Sequence, residues 1–176
     1  RQLRDLVVAG RMRRHDQTAR GVLDGAGWSA DVTLDDGWNE FDHLQVLDVH
    51  APPSTAEGED EKAAFQRWFE DATRRWTSGA DEAAYDESFA AFGARVDAAM
   101  ARLGDLLPRR GTAVVLTSGG AIAWTAARLI GGGFDQWMAF NRETINTGIT
   151  KIITGRGGTS LISFNDHGHQ DPKNAT

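Results

Sequence analysis

The sequence predicts an α/β fold: a three-layer sandwich with a mainly parallel sheet, helices on both faces and a C-terminal hairpin. Three observations carry this. Short apolar runs alternate with helical patterns, as a parallel sheet with crossover helices requires. Ala113-Val114-Val115-Leu116-Thr117 is continuously apolar, the pattern of a strand buried on both faces. Two β-rich runs, Thr144 to Thr154 and Thr159 to Phe164, are joined by Gly155-Arg156-Gly157-Gly158, a glycine-rich hairpin signal.

The elements follow in order. Leu6-Val7-Val8-Ala9, ended by Gly10, reads as a buried strand. Met12 to about Leu23 reads as a helix that stops near Gly25 and Gly27. Val32-Thr33-Leu34 is a second strand, and Trp38 to His43 an irregular connection. Ala51 to Asp60, with Pro52, Pro53 and Gly58, is a loop. A helix over Glu61–Trp76 places Phe65, Trp68, Phe69, Ala72 and Trp76 on one face. A second, about Glu87 to Leu107, aligns Phe89, Phe92, Val96, Met100, Leu103 and Leu107 before Pro108 stops it. After Ser118-Gly119-Gly120, an apolar helix runs from about Ala121 to Ile130, and a short one from Phe134 to Phe140.

Composition narrows the function. With 176 residues, 40% hydrophobic and 25% charged, the chain has an ordinary globular make-up and reads as a single domain over 1–176. It contains no cysteine, which removes disulfides, Cys-ligated zinc and a thiol nucleophile. The net charge of −6 argues against a nucleic-acid or membrane-surface partner, and Arg11, Arg13, Arg14 and Arg20 form too small a basic cluster to reverse that. No stretch of about 20 apolar residues is present.

Two junctions draw attention, because ligands in open α/β sheets bind at the carboxyl ends of strands. One leads from Gly10 to Arg14 and Gln17-Thr18-Ala19; the other is Thr117-Ser118-Gly119-Gly120. Each offers a helix N-terminus suited to an anion, and arginine gives phosphate a bidentate hold. An ordinary capped helix start and a solvated arginine would leave the same pattern.

Taken together, these segments resemble the histidine phosphatase (phosphoglycerate mutase-like) superfamily. Val7 to Ala19 is similar to its strand followed by a phosphate-binding arginine, which falls on Arg14. Trp38-Asn39-Glu40-Phe41-Asp42 is similar to the motif of its proton-donating acid, implying Glu40 for that role with Asn39 and His43 near the pocket. Val114 to Ile122 resembles the strand followed by Ser-His-Gly-Gly, with Ser118 where the family usually has its second active-site histidine. Asn146-Thr147-Gly148-Ile149-Thr150 and Phe164 to His169 resemble the closing hairpin.

The resemblance implies phosphomonoester hydrolysis through a phosphohistidine. Arg14, Ser118 and Gly119 would hold phosphate, Glu40 would protonate the leaving alkoxide, and no cofactor or metal would be needed. Its strand–Arg–His–Gly motif is absent from these residues, which implies an N-terminally truncated chain that is inactive by itself; the missing strand would lie between Leu6–Ala9 and Ala113–Thr117, so that these two either leave backbone groups unpaired in an exposed, aggregation-prone groove or close on each other with a strained register. Arg14-His15-Asp16 does not fit as a substitute, since Asp16 stands where the motif has glycine, and His15 and His50 are expected at the surface. His167 and His169 lack the partners of a metal site. Ser118 in the sequence Thr-Ser-Gly-Gly implies a distinct subgroup. Phe41-Asp42-His43-Leu44 after the acid lacks the glycine of cofactor-dependent mutases, so hydrolysis is favoured over transfer. A non-catalytic phospho-ligand module and a structural remnant stand as alternatives. The expected substrate is small and phosphorylated and the expected setting cytoplasmic, the place for a signal segment lying outside the chain. Substrate choice is expected to lie in Ala51–Asp86.

Overall fold

The computed structural model describes residues 5–52 and 60–170. Most of the expected Ala51–Asp60 loop, residues 53–59, lies outside them. The chain forms two compact units: Arg1–Glu40 with Arg95–Thr176, and Phe41–Ala94.

The first unit is built on a parallel sheet flanked by helices. Strand β1 (Leu6–Ala9) lies between β2 (Val32–Leu34) and β3 (Ala113–Leu116), parallel to both. Val7 pairs with Val32 on one side and with Val114 on the other, and Ala9 with Leu34 and Leu116. Being central, β1 buries Val7, Val8 and Ala9 almost completely, which explains why its sequence is apolar without alternation. The direct β1–β3 ladder is one of the two arrangements expected of these strands: they close on each other, with no strand between them. Backbone donors and acceptors of the two runs match without a gap, and the ladder extends at both ends through Asp5 N to Thr112 O (2.7 Å) and Gly10 N to Leu116 O (3.2 Å). The other arrangement, a groove of unpaired backbone groups between these two strands, is not the one found. Strand β3 pairs with a strand on one side only among the described residues, and all four of its residues stay half-buried where burial on both faces was expected.

Helix α1 (Arg13–Ala26) follows β1 and ends at Gly27, whose φ of 61° is the left-handed conformation that glycine adopts without a Cβ penalty; its N–H reaches Leu23 and Asp24 carbonyls. After β3, α5 (Gly119–Leu129) is lined by Ala121, Ala123, Ala126 and Ala127, all buried, and α6 (Phe134–Glu143) packs beside it. Trp137, fully buried, donates its indole N–H to Gly120 O at 3.0 Å. The hairpin β4 (Ile149–Gly155) and β5 (Gly158–Asp166) forms its own antiparallel sheet, closing at Gly155↔Gly158 where the glycines stand. Residues 144–148, expected as strand, are not: Thr147 takes φ 64°, and Asn165 bridges Ile145 N and Glu143 O instead.

The second unit contains a short α2 (His43–Asp48), where an irregular connection was expected up to His43, and α3 (Glu61–Thr77). Asp42 caps α2 through Leu44 N and Gln45 N, and Asp60 caps α3. The first residues of α4 (Phe89–Leu106) belong to this unit. Its core is aromatic: Trp76, 1% exposed, stacks on Phe41 at 4.8 Å and meets Phe89 edge-on at 5.1 Å, while Phe92 lies 5.7 Å from Phe41. The Trp76 indole N–H is satisfied by Glu87 O at 2.8 Å. Phe65, expected on the buried face of α3, is 51% exposed, because the inward position in that turn is Ala64. His50, expected at the surface, is half-buried and hydrogen-bonds the Tyr85 hydroxyl at 2.9 Å.

Trp76→Ala removes the centre of this cluster and the indole N–H that donates to the Glu87 carbonyl. Urea unfolding should show a loss of about 3–5 kcal/mol; a loss under about 1 kcal/mol, the size of an ordinary surface change, would mean the cluster is not the core of this unit.

Candidate functional site

The register of β1 and β3 decides where chemistry can gather. Ala9 is opposite Leu116, so both strands end level, and Gly10 and Thr117-Ser118 lie just beyond them. Helix α1 starts three residues after Gly10 and α5 immediately after Ser118. Two helix N-termini and their first side chains therefore meet at the carboxyl edge of the sheet.

Ser118 is the hub. It stands at the N-cap of α5, yet its hydroxyl makes no capping bond. It is taken up instead by α1: Arg14 Nε donates to Ser118 Oγ at 3.1 Å, and His15 Nε2 lies 2.6 Å from the same oxygen. Glu40 reaches the same helix start, its Oε2 accepting the Gly120 N–H at 2.9 Å. Gly119 is the first residue of α5, half-buried between Ser118 and Gly120. The structure thus brings Arg14, Ser118, Gly119 and Glu40 together.

The segment carrying Glu40 is fixed on three sides. Thr117 Oγ1 donates to Trp38 O at 2.6 Å, tying the segment to the end of β3. Asn39 Oδ1 accepts the Arg11 N–H at 2.7 Å, tying it to the β1–α1 turn. Arg95 spreads one guanidinium nitrogen over the carbonyls of Asp36, Gly37 and Asn39 at 2.9–3.1 Å. Asn39 is therefore a brace whose side-chain oxygen is already occupied. His43 is exposed in the first turn of α2, in the second unit.

His15 corrects the expectation of a surface histidine. It is 3% exposed, and its ring nitrogen Nδ1 has no hydrogen-bond partner among the described residues. Burial, aided by the Arg14 charge, lowers its pKa to about 4, so the imidazole is neutral at pH 7. Gly10 makes room for it. A Cβ there would collide with His15 Nδ1 and stand 2.8 Å from Trp38 O and 2.9 Å from Asn39 Oδ1. The sequence signal for this was the adjacency of Gly10 to the first turn of α1, which only the ring's inward direction makes legible.

Charge at this edge is lopsided. Arg13 and Arg14 occupy the first turn of α1, where the helix dipole favours anions, and the Met12 N-cap supplies no side-chain acceptor. Arg11 is ion-paired with Asp36 at 3.2 Å, both side chains exposed. The His167 and His169 side chains are occupied elsewhere, His167 with Asn165 O and His169 with Thr147 Oγ1.

The sequence profile of the histidine phosphatase superfamily (branch 1) matches residues 2–167. The chain belongs to that superfamily. One match spans both compact units. No curated protein matches the sequence. Among solved structures, a mutant phosphoserine phosphatase from Entamoeba histolytica in complex with phosphoserine is similar at a TM-score of 0.63 and 22% identity, over 94% of this chain and 75% of that one. A putative α-ribazole-5′-P phosphatase from Escherichia coli follows at 0.59 and 22%, over 92% and 73%. Mycobacterial hydrolase 1 gives 0.58 and 20%, over 93% and 78%. These likenesses show a shared fold. Within the superfamily, the chemistry is hydrolysis or transfer of phosphoryl groups, and the edge built by β1 and β3 is where this chain offers an arginine, a hydroxyl, a carboxylate and a helix N-terminus together.

Two outcomes follow from the packing. Gly10→Ala should destabilise the protein by about 1–3 kcal/mol, read by urea unfolding, because backbone and a buried ring must move to admit the methyl. His15 should make stability pH-dependent. Its unfolded form takes up a proton near 6.5 and its folded form only near 4, so the unfolded state binds more protons between them and stability falls as pH drops through that window. The difference between wild type and His15→Gln, measured by urea unfolding from pH 7 to pH 4, should shrink by on the order of 2–3 kcal/mol; a constant difference would show that His15 is protonated normally in the fold.

Proposed function

We propose that this protein hydrolyses a small phosphomonoester through a phosphohistidine intermediate, in a cytoplasmic setting, with no nucleic-acid or membrane partner. Arg14, Ser118 and the α5 N-terminus at Gly119 hold the phosphoryl oxygens, and Glu40 protonates the leaving alkoxide. The observation that carries the reading is the convergence on one helix start of the Arg14 guanidinium, 3.1 Å from Ser118 Oγ, and the Glu40 carboxylate, on the Gly120 N–H. Phosphoryl transfer needs positive charge and aimed donors around the equatorial oxygens, and a proton for the departing oxygen. Each group is of the type those steps require.

The roles divide by geometry. Arg14 is exposed and turns its guanidinium to the Ser118 hydroxyl through one nitrogen, Nε. Ser118 contributes a neutral donor in place of a second histidine, at a cost of about 1–2 kcal/mol in anion affinity relative to an imidazolium. Glu40 is oriented by Gly120 N–H and by the braced 36–40 segment, so its carboxyl reaches the site without a flexible approach. Hydrolysis is favoured over mutase-type transfer by Phe41-Asp42-His43-Leu44 after the acid. The small substrates named for similar structures, phosphoserine and α-ribazole phosphate, support a small phosphorylated ligand here.

The nucleophile is not among the groups gathered at this edge, and the 176 residues hold no strand–Arg–His–Gly sequence. That favours one second reading, a phospho-ligand module that binds without turnover. Both readings expect inorganic phosphate to bind this chain, with Arg14→Ala weakening it by about tenfold or more in calorimetric titration. They also expect no turnover of p-nitrophenyl phosphate by the 176 residues alone. A chain that also carries strand–Arg–His–Gly should turn the substrate over and form an acid-labile phosphohistidine under the first reading and not under the second. Turnover by the 176 residues that His15→Ala abolishes would overturn the assignment of roles.

A further inference from the structure

The bond between His15 and Ser118 has a direction that geometry can settle. Arg14 Nε can only donate, so one lone pair of Ser118 Oγ is taken by the guanidinium. The hydroxyl retains one further lone pair and one proton. Neutral His15 carries one N–H, on Nδ1 or on Nε2. With the proton on Nδ1, Nε2 must accept the Ser118 hydroxyl proton, and the serine presents only an oxygen lone pair to a ligand. That tautomer also leaves an N–H buried and without a partner, since Nδ1 lies packed against Gly10 with no acceptor in bonding geometry. With the proton on Nε2, the orphan is a lone pair. An orphaned buried N–H is the rarer and costlier case, and the tautomer is set by the bond that the other nitrogen makes.

We propose that His15 is the positioning residue of this pocket: its Nε2–H donates to Ser118 Oγ beside the Arg14 Nε–H, which turns the serine hydroxyl proton outward as a donor to a phosphoryl oxygen. The inference rests on the phosphate site proposed above and assigns a working orientation to its serine. Three features of the fold serve it. Ser118 leaves its own helix uncapped, so the hydroxyl is not diverted to the backbone. Gly10 gives the ring the room to lie beneath the serine. Two donors on one oxygen polarise the hydroxyl and strengthen the bond it donates. A chain of neutral groups, anchored on one arginine, thereby does the work of a charged donor at this position without placing a second cation there.

The test uses the ¹⁵N-labelled 176-residue chain. Long-range ¹H–¹⁵N correlation of the histidine rings at pH 7, assigned with His15→Gln, should show Nε2 protonated and Nδ1 bare, with and without inorganic phosphate. A proton on Nδ1, or an imidazolium once phosphate is bound, overturns the proposal. Phosphate titrations give a second reading. His15→Leu and Ser118→Ala should each weaken binding by about tenfold, and the double variant by no more than either alone. Losses that multiply in the double variant would mean His15 acts independently of the serine. If His15→Leu does not fold, the tautomer decides alone. Wild type that binds no phosphate, or Arg14→Ala that binds as well as wild type, sinks the phosphate site itself, and the ring spectrum still rules on the His15–Ser118 bond.

Discussion

The parallel ladder between β1 and β3 is the constraint on which the site depends. Because Ala9 lies opposite Leu116, the chain leaves both strands at the same level, and the first turn of α1 falls beside the first residue of α5. A slip of one residue would reverse which faces Val7 and Val114 present, as strand side chains alternate with period two. It would also separate Gly10 from Ser118. The burial of Val7, Val8 and Ala9, all within 2% exposure, holds that register. The chemistry at the edge is in this sense an outcome of hydrophobic packing several residues away.

The site itself is a set of mutual braces. Ser118 gives up its helix cap to meet Arg14 and His15, and the vacated helix start is met by Glu40 on Gly120 N–H. Glu40 therefore has two demands on it. As a distant cap it stabilises α5, and as a candidate acid it must be able to carry a proton toward a substrate. An anion entering at Gly119 would compete for the same helix end. The braces on Trp38 and Asn39 keep the carboxylate in reach through that exchange, because the backbone of 36–40 is held independently of Glu40 itself.

Much of this was legible in the sequence, and the exceptions have physical causes. Strand β1, helices α1 and α3 to α6, and the hairpin turn at 155–158 follow from apolar periodicity and glycine placement, which are local signals. Helix α2 was missed because six residues are too few to display a period, although Asp42 was available as its cap. The direct pairing of β1 with β3 was left open because two short apolar runs carry no mark of which partner each will take; that is a property of the assembled sheet. Arg14, Ser118, Gly119 and Glu40 were singled out through motif order, and the fold brings them to one helix start. His15 was not: beside Arg13, Arg14 and Asp16 it reads as one more polar residue on a solvated helix, and only the missing Cβ of Gly10 lets its ring turn inward.

The most direct test of the account is a crystal structure of the chain soaked with tungstate, a phosphate-shaped anion with strong scattering. The account predicts tungstate at the start of α5, with oxygens in hydrogen-bonding reach of the Arg14 guanidinium, the Ser118 hydroxyl and the Gly119 N–H, and with Glu40 shifted off Gly120 or bonded to the anion as an acid. An anion bound elsewhere, with Arg14, Ser118 and Glu40 unchanged around an empty helix start, would contradict it.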